Sequence, residues 1–298
     1  MSAKTPKKSN AKKNDLKTTA VIILCVMMAF AVFVLTHKGK PEGKKIAVSK
    51  VSKHVEKTAP PVLPVKPVKK AAPGSAGRIA FILDDWGYTT INCKYLKEIK
   101  DPLAIAILPN LRHTNTIAKC AKDNGKVIML HLPLQPYYNG DIYPDNYLIT
   151  VTMKPEEVIR LLEGSLQQMP LVEGVNNHMG SRATEDKNLM KLIFQHLKKH
   201  HLFFVDSMTS PHHSVCGELA DQMGLPFGQR DVFLDNVNTK PEIEKQILSL
   251  AQKARKKGYA VAIGHDRTLT LKVIQEQIPL LKDQGFEIVS IKNLLRNK

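Results

Sequence analysis

From Arg78 onward the chain alternates short apolar runs with longer amphipathic segments, and this alternation limits its fold more than any other feature. The runs are Ile79–Leu83, Leu103–Leu108, Lys126–Leu130, Gly174–Asn177, Leu202–Val205, Pro226–Phe233, Tyr259–Ile263 and Phe286–Val289. They are short, bounded by turn residues, and read as buried strands. Helical spacing is expected over Thr90–Lys97, Thr114–Asn124, Pro155–Gln168, Glu185–His200, Val215–Met223, Lys240–Lys256 and Leu271–Asp283. Pro155-Glu156-Glu157 suits a first helical turn. Gly125, Gly258 and Gly285 stand where a glycine commonly ends a helix. Strands alternating with helices argue for parallel strands covered by helices, in an open doubly wound sheet or a barrel. No G-x-G-x-x-G follows the first run and there is no Walker loop, so nucleotide binding loses its usual support.

The N-terminal quarter has a different texture. Residues 1–77 hold 16 lysines and 3 acids, whereas the remaining 28 basic and 24 acidic residues leave only +4 of the total +17. A basic folded face for nucleic acid is therefore not expected, and no zinc-finger, helix-turn-helix or RNA-binding signature is present. Thr18–Thr36 is apolar and uncharged, close to the ~20 residues that span a bilayer. Six lysines precede it, which places the tail in the cytoplasm. A cleaved signal peptide is the competing reading, but Thr36-His37-Lys38 offers no small-residue cleavage site. The expected organisation is a basic tail (1–17), a transmembrane anchor (18–36), a Lys/Pro-rich extended linker (37–77) and a folded domain (78–298). In a bacterium this puts the domain outside the inner membrane, in the periplasm. The four cysteines (Cys25, Cys93, Cys120 and Cys216) form no C-x-x-C pair, so a zinc–thiolate site is not expected.

In parallel β/α folds, sites assemble at the C-terminal ends of the strands. Here those ends are Asp84-Asp85, Pro109-Asn110, His131, Asn176-Asn177-His178, Asp206-Ser207, Asp231 or Asp235-Asn236, and Gly264-His265-Asp266. Carboxylates at the exit of a buried strand must be paired, hydrated or bound to a cation. Two histidines and one carboxylate are a common set for an open zinc site. Asp85, His131 and His178 supply such a set for a divalent metal, zinc by preference, from three strands. Asp84 is then the candidate base and His265 the candidate acid. Neighbours on an extended strand face opposite ways, so only a sharp turn at Trp86-Gly87 is expected to let both acids converge. Asp266 is also placed to pair with His265. His200-His201 ends a helix and reads as a helix-end cation pair. Tyr137, Tyr138, Tyr143 and Tyr147 lie on the segment 136–150, which suits either sugar stacking or packing over the barrel mouth.

Ile82-Leu83-Asp84-Asp85-Trp86-Gly87-Tyr88, His131-Leu132-Pro133 and above all Gly174-Val175-Asn176-Asn177-His178-Met179-Gly180-Ser181 resemble the divergent polysaccharide deacetylase family. Phe203-Phe204-Val205-Asp206-Ser207 and Ala262-Ile263-Gly264-His265 follow in the same order. The resemblance implies a NodB-like (β/α) barrel of about seven strands over 78–298. It implies Asp84 as general base, Asp85 as metal ligand and His265 as acid. Substrate contacts are expected, apart from the resemblance, from Asn177, Asp206, Trp86 and Arg182, with a solvated role the equal alternative for Arg182. Asn177 and Asp206 could equally orient their neighbours. Better-known carbohydrate deacetylases carry both ligand histidines in one H-x-x-x-H segment. Here Leu132-Pro133-Leu134-Gln135 follows His131, so His178 must substitute, and an Arg-Pro-Pro-type element is missing. The expected activity is metal-dependent deacetylation of an N-acetylated envelope polysaccharide. The alternative is a non-catalytic envelope module that binds glycan or protein at a former active site.

Overall fold

The computed structural model describes residues 76–138 and 147–296. The expected tail and membrane anchor, nearly all of the linker, and Tyr143 lie outside the described residues. Among the described residues, no helix is long and apolar enough to cross a membrane. Among the described residues, nine strands alternate with seven helices. The strands are β1 (Gly77–Trp86), β2 (Ala104–Ile107), β3 (Val127–Leu134), β4 (Gly174–Met179), β5 (Phe203–Asp206), β6 (Phe227–Gln229), β7 (Val232–Phe233), β8 (Tyr259–His265) and β9 (Phe286–Ile288). The helices are α1 (Cys93–Glu98), α2 (Thr114–Asp123), α3 (Pro155–Gln168), α4 (Lys187–Lys199), α5 (Cys216–Met223), α6 (Lys240–Lys257) and α7 (Thr268–Asp283).

Pro155 opens α3, and the Glu157 carboxylate accepts from the Lys154 N–H at 3.0 Å. Asp186 caps α4 by accepting from the Asn188 and Leu189 N–H groups. β1 starts at Gly77, inside the expected linker, and the first helix starts only at Cys93.

Every strand pairing is parallel. The order along the sheet is β6-β5-β4-β3-β2-β1-β8-β7, with β9 added beside β1. The two ends of this path, β6 and β7, are separated in sequence only by Arg230 and Asp231. The Arg230 N–H bonds the Asp206 carbonyl at the end of β5, and the Asp231 N–H bonds the Val261 carbonyl on β8. One extended run therefore changes partners at its midpoint and joins the edges of an open barrel. The described sheet therefore has nine strands, where about seven were expected for the barrel: of the eight apolar runs, Pro226–Phe233 serves as two strands.

A sheet buried on both faces shows near-continuous apolar strands, yet alternation still decides which way each side chain points. Ala80, Ile82, Ala104, Ala106, Val127, Met129, Phe203, Val205, Val261 and Ile263 form the inner cluster. Ile79, Phe81, Leu83, Ile105, Ile107, Ile128, Leu130, Val175 and Phe204 belong to the outer cluster beneath the helices. Continuing the inner set toward the C-terminal ends reaches Asp84 on β1, His131 on β3, Asn176 and His178 on β4, and His265 on β8. The barrel's own register thus stacks a polar layer above its apolar plug.

Phe204 is fully buried, 5.0 Å from the Phe194 ring and 6.4 Å from the Phe227 ring. Phe204→Ala is expected to destabilise the fold by about 3–5 kcal/mol, from lost transfer energy plus a cavity. Urea unfolding followed by circular dichroism measures this.

Candidate metal centre

The site begins with a backbone irregularity in β1. Leu83 aligns with Ile105 but Trp86 aligns with Ile107, so one extra residue is inserted against β2. Asp85 sits in this bulge with φ +61°. Left-handed backbone is uncommon outside glycine, but aspartate tolerates it better than most residues, and bulges often re-aim side chains beside active sites. The bulge brings two sequence neighbours to one side: Asp84 Oδ2 lies 3.8 Å and Asp85 Oδ1 3.1 Å from His131 Nε2. The strand continues through Trp86, so a bulge within β1, and not a turn at Trp86-Gly87, makes the acids converge.

His178 completes the group from β4. Its Nδ1 is 2.9 Å from Asp85 Oδ1 and 3.1 Å from His131 Nε2. β3 extends to Leu134, placing His131 inside the strand and opposite Asn176. Asn176 then fixes which histidine nitrogen faces the cluster. Its Nδ2 donates to Asp84 Oδ1 at 2.8 Å and to Ser207 Oγ at 3.2 Å. Its Oδ1, 2.9 Å from His131 Nδ1, must therefore accept, so His131 carries a proton on Nδ1. Neutral His131 presents a lone pair at Nε2 to the Asp85 carboxylate and to His178.

The electrostatics favour positive charge at this point. Burial works against charge on His131, but Asp84 and Asp85 overcome it and push its pKa up to about 9. Burial lowers the His178 pKa, and charge on His131 lowers it further, against the pull of Asp85. Burial would raise the Asp85 pKa, but the two rings outweigh it and hold the carboxyl well below its usual range. Burial raises the Asp84 pKa, against the opposing pull of His131.

A divalent ion fits the same place. Donors bonded at ordinary zinc distances around a tetrahedral ion lie roughly 3.3 Å apart. The three donor atoms here are separated by 2.9–3.1 Å. Asp85 Oδ1 is buried without a well-directed hydrogen bond. The donor set is the two-histidine, one-carboxylate set of open zinc sites, and Asn176 supplies the outer hydrogen bond that holds a ligand histidine in its tautomer.

His265 approaches from β8, with Nε2 3.6 Å from Asp85 Oδ2. Its Nδ1 bonds Asp235 Oδ1 at 2.9 Å. Asp235 is fully buried and also accepts from the His265 N–H and from Thr270 Oγ1. Burial opposes charge on His265, but the Asp235 bond outweighs it and raises the ring's pKa. Asp266 does not pair with His265; it accepts from Asn92 Nδ2 at 2.7 Å.

The residues expected to contact substrate are placed as follows. Trp86 is fully buried. Asn177 is 1% exposed, accepting from the Ser207 N–H and donating to the Met179 carbonyl. Asp206 is 1% exposed, accepting from the Met208 N–H and Ser214 Oγ. Both lie on the outward parity of their strands and brace the loops around the site. Arg182 is exposed. Asn176 and Asp235 stand among the expected strand-end residues without an assigned role, and Arg230 is absent from them. Arg230, on the β6–β7 link, donates to the Ser207 and Met208 carbonyls and stacks on Phe233.

Asn176→Ala is expected to weaken zinc binding about 10- to 100-fold while all three donors remain. Isothermal titration calorimetry tests this, and an unchanged affinity would show that the bond to His131 does not organise the site.

Residues 81–295 match the family described as divergent polysaccharide deacetylase. The uncharacterized protein YibQ of Escherichia coli (strain K12) is 28% identical over 208 residues, which is 70% of this chain and 64% of that protein. The match thus spans less than two thirds of that relative's length. Among solved structures, an uncharacterized protein from Agrobacterium tumefaciens C58 has a TM-score of 0.69 at 21% identity, covering 75% of this chain and 91% of that one. A family 4 carbohydrate esterase from Streptomyces lividans, in complex with acetate, has a TM-score of 0.50 at 13% identity, covering 76% and 98%. These two share the NodB-like fold. With its family match running from the first strand to the last helical turn, the chain belongs to the divergent polysaccharide deacetylase family.

Proposed function

We propose that the chain is a metal-dependent hydrolase that removes acetyl groups from an N-acetylated envelope polysaccharide. The observation that carries this reading is the convergence of Asp85, His131 and His178, with Asp84 on one side and His265 on the other. A divalent cation held by Asp85, His131 and His178, zinc by donor type, supplies Lewis acidity and lowers the pKa of water. Asp84, kept basic by burial and fixed by Asn176, takes a proton from the water that attacks the amide carbonyl. His265, held by Asp235, gives a proton to the departing amine as the C–N bond breaks. Acetate and a free amine leave.

Tyr88, Ile91, Tyr137 and Tyr138 are exposed large side chains, and Tyr88 and Tyr137 follow strand ends that carry site residues. Aromatic faces of this kind suit sugar rings. Tyr137 also bonds Glu185, which in turn accepts from Ser210. The envelope as location rests on the basic tail and the apolar segment 18–36, both outside the described residues. Depth favours a second reading: Asp84 is only 3% exposed and already bonded, as would suit a module that binds glycan without turnover.

Acetate release from N-acetylated glycan fragments, with zinc supplied, separates the two readings. The deacetylase reading expects turnover, and expects Asp84→Asn and His265→Ala to lose about 100- to 10,000-fold in kcat. Glycan binding without acetate release, in protein loaded with zinc, would overturn it and leave the binding module. Asp235→Asn removes the partner that raises the His265 pKa. It is expected to move the alkaline limb of the kcat profile to lower pH, because the acid then loses its proton earlier.

A further inference from the structure

A second group of metal-ligating side chains lies away from the barrel mouth, between α3 and α4. Glu163 projects from α3. His196 and His200 are four residues apart at the C-terminal end of α4, so they share one helix face. Glu163 Oε1 is 2.9 Å from His196 Nε2 and 3.2 Å from His200 Nε2. The two rings stand 4.7 Å apart between centroids, tilted by 42°.

Three observations point to a ligand here. His196 is 8% exposed, and its Nε2 is buried without a well-directed hydrogen bond. Both Nε2 atoms converge on one carboxylate oxygen, and their separations lie close to the roughly 3.3 Å expected between donors on a tetrahedral zinc ion. A cavity of about 250 Å³, lined by Glu163, Gln167 and His200 with Leu166, Met169 and Leu202, opens beside the group. That space leaves room for a fourth donor, such as water. The C-terminal end of α4 adds its own partial negative charge, which favours a cation.

We propose that Glu163, His196 and His200 form a second divalent-cation site, of zinc-binding type, that ties α3 to α4. It uses no residue of the barrel centre and does not depend on any reaction there. The sequence alone offers His200-His201 as a helix-end pair. The structure replaces His201, whose φ of +56° carries the chain onward into β5, with His196 one turn back.

The test is zinc stoichiometry on the untagged full-length chain, stripped with chelator and titrated with zinc chloride. The wild type should bind two ions. Asp85→Ala/His178→Ala should bind one, and zinc should still raise its Tm. Adding His200→Gln to that variant should weaken the remaining ion at least tenfold and abolish the Tm shift. His200 is exposed at the helix end, so this change does not threaten folding; Glu163→Gln is the independent check and should give the same loss. The proposal is overturned if Asp85→Ala/His178→Ala binds no zinc, or if His200→Gln and Glu163→Gln leave stoichiometry and affinity unchanged.

Discussion

Two carboxylates at the centre of a barrel mouth require a positive charge, and the rest of the site is arranged around that requirement. Asp84 and Asp85 leave β1 side by side because one extra residue is inserted against β2. Without that insertion the alternation of the strand would send Asp85 outward beneath the helices. With it, both acids face His131, which answers them with a proton in the absence of metal. The attraction that lifts the His131 pKa to about 9 is the same attraction that favours a divalent ion among Asp85, His131 and His178.

Barrel parity explains why particular residues share the site. Small side chains (Ala80, Ala104 and Ala106) fill the narrow interior, and the next inward position on β1, β3, β4 and β8 is polar. Asp84 and His265 are register partners, as are His131 and Asn176. Register therefore delivers both the ligands and the group that orients them. His178 lies one inward step beyond Asn176. In the proposed site it would supply, from the neighbouring strand, the histidine that an H-x-x-x-H segment would place on one loop.

Much of this is legible in the residues alone. The strand positions, the polar strand ends and the grouping of Asp85, His131 and His178 all follow from apolar runs and the residues that terminate them. What escapes is governed by geometry that no local pattern encodes. The bulge at Asp85 has no signature beyond an aspartate that tolerates left-handed backbone. The break at Arg230-Asp231 depends on which edges the run meets. Asn177 and Asp206 look as exposed to substrate as Asn176, yet counting inward and outward positions from Val205 and Val175 separates them: Asn176 faces the barrel, while Asn177 and Asp206 brace loops. Asp235 could have been found the same way, two positions beyond Phe233, which packs on the inner cluster.

The central claim is that Asp85, His131 and His178 enclose a cation. Anomalous diffraction at the zinc edge, from crystals grown with zinc, tests it most directly. The account expects a peak within about 2.0–2.2 Å of Asp85 Oδ1, His131 Nε2 and His178 Nδ1. Strong density at the α3–α4 cluster with none among these three atoms would contradict it.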